Sequence, residues 1–257
     1  LRTELLPREL PDPNDALSRE YDELIRTFCK EAEQLRAKYN IESAEQEEYY
    51  TLWVHQIKTP ISAMRLLLDN RTDENARLLK QELFKVEQYA DLALKFVKLG
   101  DIAGDLVIEL CDLNEIVRSA VKKYSLLFVY NKLAIEIEPL EKEVVSDSMW
   151  LGFILQQLLS NCVKYTHTGG VRIYMERGAL VVSDTGIGIR KEDLPRIFEK
   201  GYTGYNGRMD NRASGIGLYL SKLAADALRI QISVESELGK GTKVTLRFPV
   251  RDEFMEM

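Results

Sequence analysis

The stretch LLSNCVKYT, residues 158–166, places an amide, an ammonium and a phenol (Asn161, Lys164 and Tyr165) at steps of three and four. Residues so spaced share one face of a helix. Downstream, DTGIGI (184–189) follows the apolar run ALVVS, and a second glycine pair lies in SGIGLYL (214–220). A glycine pair alone marks a turn. Here the two pairs flank a polar, glycine-bearing stretch, EKGYTGYNGRMDNRAS (199–214), of a kind able to close over a bound molecule.

The chemistry of these groups points one way. An amide oxygen such as that of Asn161 suits a hard divalent ion, and the Lys164 ammonium suits phosphate. Gly215 and Gly217, at the opening of a helix, let backbone N–H groups approach phosphate near the positive end of the helix dipole.

Around this region the chain reads as interspersed strands and helices. The expected order is a strand at LVIEL (106–110), a helix over 113–129, a strand at LAIEIE (133–138), a helix over 147–165, strands at VRIYME (171–176) and ALVVSD (179–184), a helix over 215–228, and strands at IQISVES (230–236) and TKVTLRF (242–248). Such a mixture predicts an α/β two-layer sandwich over residues 102–257.

The first hundred residues have a different texture. Residues 1–14 hold three prolines and read as a linker. Residues 15–48 read as a solvated, coiled-coil-like helix, with Leu17, Tyr21, Ile25, Phe28, Ala32 and Leu35 on one stripe and a short break near Tyr39 to Glu42. Residues 49–101 read as a helical hairpin, turning at DNRTDEN with Thr72 or Asp73 as N-cap. Its return arm carries Leu79, Leu83, Val86, Ala90, Leu94 and Val97 on one narrow stripe. A hairpin that buries so little predicts a homodimer in which two copies form an α-helical four-helix bundle.

One of only two histidines lies in the first arm, in WVHQIKTP (53–60). At about 100° per residue His55 and Thr59 point away from the stripe of Ile57, Ile61, Met64 and Leu68, and Pro60 withholds an N–H from the Gln56 carbonyl, so the helix is expected to bend there. An exposed neutral imidazole is a ready nucleophile near pH 7. The other histidine, His167, reads as structural or solvent-exposed.

The totals are consistent with two domains: 257 residues, 45% of them apolar. A net charge of −6 gives no basic footprint for nucleic acid. Three well-separated cysteines read as reduced, packed thiols. No apolar run reaches the roughly 20 residues of a membrane helix, yet the chain begins with Leu1 rather than Met, so it reads as the excised soluble part of something longer.

From about Tyr49 to Pro249 the sequence resembles the sensor histidine kinases of two-component signalling. HQIKTP is similar to the phosphoacceptor box, LLSNCVKYT to the N box, DTGIGI to the first glycine box, LPRIFEKGY to the F box, SGIGLYL to the second glycine box and GKGTKV (239–244) to the last. The resemblance implies a helical dimerisation and phosphotransfer domain followed by the ATP-binding (GHKL, or Bergerat) fold shared with DNA gyrase, ATP-dependent heat-shock chaperones and mismatch-repair ATPases. It assigns Asp184 to the adenine amino group, with Gly186 and Gly188 admitting the base, Asn161 to Mg²⁺, Lys164 and Tyr165 to the flanks of the phosphates, and Gly215 and Gly217 beneath them. Ile189, Phe198, Lys200, Leu218 and Thr242 complete the ATP pocket. By the same resemblance the γ-phosphoryl group passes to His55 and then to an aspartate on a response regulator, and Thr59 assists hydrolysis of the regulator's phosphoaspartate.

The sequence departs from the family in places. Gln56 stands where an acidic residue is common; in neutral form it cannot act as a base, though it can orient the ring. This leaves a kinase-impaired scaffold or phosphatase as the rival to an active kinase. Thr203 stands where an arginine is frequent, with Lys200, Arg208 and Arg212 as substitutes; Gln157 replaces Asn, and Ala213 replaces Gly. WVHQIKTPI is similar to the Gram-positive intramembrane-sensing, bacitracin-sensor-like subgroup, which implies a place on the cytoplasmic face of the bacterial plasma membrane and, for some members, a peptide-antibiotic ABC transporter as partner.

Overall fold

A computed structural model of the chain describes residues 16–71, 73–98, 106–140, 142–204 and 214–249. These divide into two units, parted between Leu67 and Leu68. The expected linker at 1–14, Thr72 and the domain boundary at 101–102 lie outside the described residues.

The first unit is helical. Helix α1 runs from Ala16 to Asp69 and includes Pro60. It crosses residues 39–42 without the break expected there, and passes equally through the boundary expected between 48 and 49. Tyr39 and Asn40 are only modest helix formers, but with neither Gly nor Pro nearby the deficit amounts to a few tenths of a kcal/mol per residue, too little to break a helix. Tyr21, Ile25, Phe28 and Leu35 are all exposed on it.

The second unit opens with the end of α1 and a capped turn. Asp73 Oδ1 accepts the N–H of Ala76 at 3.0 Å and starts helix α2, Glu74–Lys98. Arg71 Nε donates to Asp73 Oδ2 at 3.0 Å. The Ala76 N–H bond and the guanidinium together hold this carboxyl below its ordinary range. Lys80 Nζ donates to the carbonyl oxygens of Asp69 and Arg71, at 3.4 and 3.1 Å, and satisfies acceptors that the end of α1 leaves open.

The α/β part follows in the order β1 (Glu109–Asp112), α3 (Leu113–Tyr130), β2 (Ala134–Ile137), β3 (Glu143–Ser146), α4 (Ser148–Tyr165), β4 (Gly170–Glu176), β5 (Ala179–Asp184), a 3-10 turn (Leu194–Arg196), α5 (Gly217–Ala227), β6 (Gln231–Glu237) and β7 (Gly241–Arg247). Five strands form one sheet in the order β2-β4-β5-β7-β6, antiparallel except for the β2–β4 pair. Strands β1 and β3 form a separate antiparallel ribbon. Helices α3, α4 and α5 supply the second layer, and the core between the layers includes Trp150, Ile154 and Leu158 of α4 with Ile173, Leu180, Val182 and Leu246 of the sheet.

The expected sandwich is therefore present, with two local differences. Strand β3, unexpected from sequence, is only four residues long beside a charged run; its Val144 and Ser146 alternate inward and are recognisable only once paired with β1. Strand β1 begins three residues later than LVIEL suggested and ends on Asp112, whose carboxylate accepts the N–H groups of Asn114 and Glu115 and caps α3.

Candidate functional site

Helix α4 positions the first set of groups. Asp147 caps it by accepting the Trp150 N–H at 2.9 Å, and a continuous row of buried apolar residues fixes its rotation against the sheet. Gln157, Asn161, Lys164 and Tyr165 then line a cavity of about 610 Å³. Asp184, at the end of β5, faces the same cavity.

Asp184 is held on both sides. Its Oδ1 accepts the backbone N–H of Gly186 at 2.8 Å and that of Thr242 at 3.3 Å. Among the described residues its Oδ2 receives only the weak thiol donor of Cys162, at 3.8 Å. Burial pushes the Asp184 carboxyl above its ordinary value, against the lowering effect of the two N–H groups. Burial, with the neighbouring Asp184 charge, pushes the Cys162 thiol well up, so that it stays protonated and donating. Oδ2 therefore keeps acceptor capacity that the described residues do not fill.

Two glycines show why the loops need that residue. Gly188 has φ +72°, and a Cβ there would lie 2.1 Å from the Glu237 carbonyl oxygen. A Cβ on Gly217 would lie 2.5 Å from Gln157 Oε1. Gly217 opens α5, whose N-terminus has no side-chain cap, and Gly215, Gly217 and Leu218 line the cavity. Helix N–H groups without a side-chain cap are of a kind that suits anionic oxygens, and Lys164 lines the same cavity.

Of the other residues singled out from sequence, Ile189, Phe198 and Thr242 also line the cavity. Gly186 does not, and acts behind it through its bond to Asp184. Lys200 is not on the lining either; its ammonium lies 5.0 Å from the centre of the Phe96 ring on α2. His167 is exposed at the rim. His55, Gln56 and Thr59 lie on α1, in the other unit, and the His55 side chain is outside the described part of the structure, as are Arg208, Arg212 and Ala213.

Sequence reasoning missed one wall. Phe84, Gln88 and Leu92 of α2 line the same cavity. Phe84 packs edge-on against Tyr124 at 5.4 Å, Tyr124 Oη donates to Gln88 Oε1 at 2.7 Å, and Lys123 Nζ bonds both Asp91 Oδ2 at 3.1 Å and Gln156 Oε1 at 2.9 Å. Lys95 lies 4.4 Å over the Trp150 ring. The apolar stripe on α2 gave no hint of this polar face, and of its members Leu79 and Val86 are exposed.

Among the described residues no three His, Cys, Asp or Glu side chains gather as a metal site.

Residues 146–252 match the model of the histidine kinase-, DNA gyrase B- and HSP90-like ATPase family. Over 238 residues the chain is 36% identical to the sensor protein BceS of Bacillus subtilis (strain 168), covering 89% of this chain and 71% of that protein. The chain belongs to the sensor histidine kinases. The kinase is also 34% identical over 216 residues to the sensor protein kinase GraS of Staphylococcus aureus (strain MRSA252), covering 82% of this chain and 62% of GraS. Its fold is similar to that of full-length ShkA, crystallised with AMPPNP, with a TM-score of 0.52 and 22% identity over 77% of this chain and 45% of that one. The cavity residues from Gln157 to Val244 lie in the part of the kinase that matches the ATPase family, whereas Phe84, Gln88 and Leu92 of α2 lie outside it. Among its described residues no helix is long and apolar enough to cross a membrane.

Proposed function

We propose that this kinase phosphorylates itself on His55 from Mg²⁺-ATP and passes the phosphoryl group to an aspartate of a response regulator. The observation that carries the reading is one cavity that gathers Asp184, a half-buried carboxylate whose Oδ2 meets only a weak thiol donor among the described residues, with Asn161, Lys164 and the start of α5, which has no side-chain cap. Asp184 accepts the base amino group; Lys164, Tyr165 and the α5 N–H groups hold the phosphate oxygens. Bound Mg²⁺ on Asn161 would neutralise charge on the β- and γ-phosphates. Transfer breaks the bond from the bridging β–γ oxygen to the γ-phosphorus, forms a bond to an imidazole nitrogen of His55 and releases the ring proton. Positioning and charge neutralisation carry the rate.

Two hairpins from two copies would form the dimer's four-helix bundle. Thr59, one turn beyond His55, aligns water for hydrolysis of the phosphoregulator, and Gln56 orients the imidazole. The setting we infer is the cytoplasmic face of a bacterial plasma membrane, with membrane helices elsewhere in the full protein and a peptide-antibiotic ABC transporter as partner.

A second reading has an observation of its own: residues 51–59 contain no acidic side chain to take the ring proton. It makes the chain a kinase-impaired, nucleotide-binding scaffold or phosphatase. Incubation with Mg²⁺ and γ-labelled ATP separates the two. Acid-labile, base-stable label that vanishes in His55→Ala supports the kinase; intact nucleotide binding with no label supports the scaffold.

A further inference from the structure

We propose that Ser236, on β6 and outside the cavity lining, is a positioning residue that makes the kinase select a 6-amino purine. The inference rests on reading the cavity as a purine-nucleotide site. Ser236 Oγ makes three contacts: it accepts the Ile189 N–H at 2.8 Å, donates to the Gly241 carbonyl at 2.7 Å, and lies 3.0 Å from Thr242 Oγ1.

A hydroxyl has one proton and two lone pairs. The Gly241 carbonyl can only accept, so it takes the Ser236 proton. The Ile189 N–H can only donate, so it takes one lone pair. A single lone pair is left for Thr242, and Thr242 must donate its own proton to it. Toward the cavity Thr242 Oγ1 therefore offers lone pairs alone.

Thr242 stands opposite Asp184 in the β5–β7 pairing, and both line the cavity. Ionised Asp184 is an acceptor too, with Oδ2 the oxygen left open among the described residues. This corner thus shows two acceptors to the base, directly or across a water. An exocyclic amino group satisfies them, whereas a keto oxygen at the same position faces lone pairs on both sides. Without the Ser236 hydroxyl, Thr242 recovers a proton with which to meet a keto oxygen.

The test measures calorimetric binding of ADP and IDP, which differ in carrying an amino or a keto group at that position, the keto purine also bearing a proton on N1, and have no γ-phosphoryl to transfer. The wild-type chain is expected to prefer ADP by at least about tenfold, and Ser236→Ala to reduce that preference by about tenfold, chiefly by tightening IDP binding. Ser236→Thr, which keeps the hydroxyl, restores it. In Thr242→Val the preference also falls, and adding Ser236→Ala changes nothing more, because both act through one proton. A Ser236→Ala protein that keeps the wild-type ratio, or binds both nucleotides equally more weakly, overturns the proposal while leaving the nucleotide site standing. A folded wild-type chain that binds neither nucleotide overturns the reading of the cavity itself.

Discussion

Thr242 donates its backbone N–H to Asp184 Oδ1 at 3.3 Å, across 58 residues of sequence and the β5–β7 pair. With the Gly186 N–H on the same oxygen, the carboxylate is aimed but not neutralised. Burial raises the Asp184 pKa above 3.8, so the folded state binds its proton more tightly than the unfolded chain does. Stability from this group is full below the unfolded pKa and falls as pH rises through the higher folded one, which makes the ionised form a net cost at neutral pH. Asp184→Asn keeps an oxygen for both N–H groups. It is expected to raise the thermal midpoint at pH 7 by about 3 °C while weakening ADP binding at least about 100-fold. Thermal melts at pH 5 and 7, with titration calorimetry, check both parts; the stabilisation should shrink at the lower pH.

The two glycines at the cavity separate folding from binding. Gly188→Ala combines a left-handed backbone with a Cβ 2.1 Å from the carbonyl oxygen of Glu237, and neither neighbour can yield without moving backbone. Urea unfolding is expected to show a loss of about 3 kcal/mol or more. Gly217→Ala meets the far end of the Gln157 side chain, which can rotate away. It should cost less than about 1 kcal/mol in stability yet weaken ADP binding, because the α5 N–H groups and Gln157 share that corner.

Across α2 and α3, Tyr124 is 1% exposed and spends its hydroxyl proton on Gln88 Oε1, while Gln88 Nε2 has no partner among the described residues. Tyr124→Phe leaves the amide with less still and is expected to cost about 1–2 kcal/mol. Lys123→Ala breaks an ion pair about a third exposed at each end, and should cost less than about 1 kcal/mol. Emission from Trp150, buried beneath Lys95, reports loosening of α2 in a Trp53→Phe background, with a red shift expected for Tyr124→Phe and little change for Lys123→Ala.

If Gln56 orients the acceptor ring without taking its proton, Gln56→Glu adds a base where none stands within a turn of α1. Initial rates of labelling from γ-labelled ATP should rise about 100-fold. An unchanged rate would place the base on another element.

The features legible in the sequence were those set by neighbours a few residues apart. Helical steps of three and four placed Asn161, Lys164 and Tyr165 on one wall, and glycine-bearing turns after β5 and before α5 marked where backbone had to approach a ligand. The Asp73 cap was one of two candidates for the same local reason. Tertiary structure alone decided that α2 turns Phe84 and Gln88 toward the cavity, that Lys200 lies over Phe96, that EVVS pairs as β3, and that the Ser236 hydroxyl meets that of Thr242 at 3.0 Å. Periodicity is a property of one element, so it reports which residues share a face. A hydrogen bond between strands, or a cation over a ring on another helix, depends on where two elements meet, and that is settled only when the whole core packs.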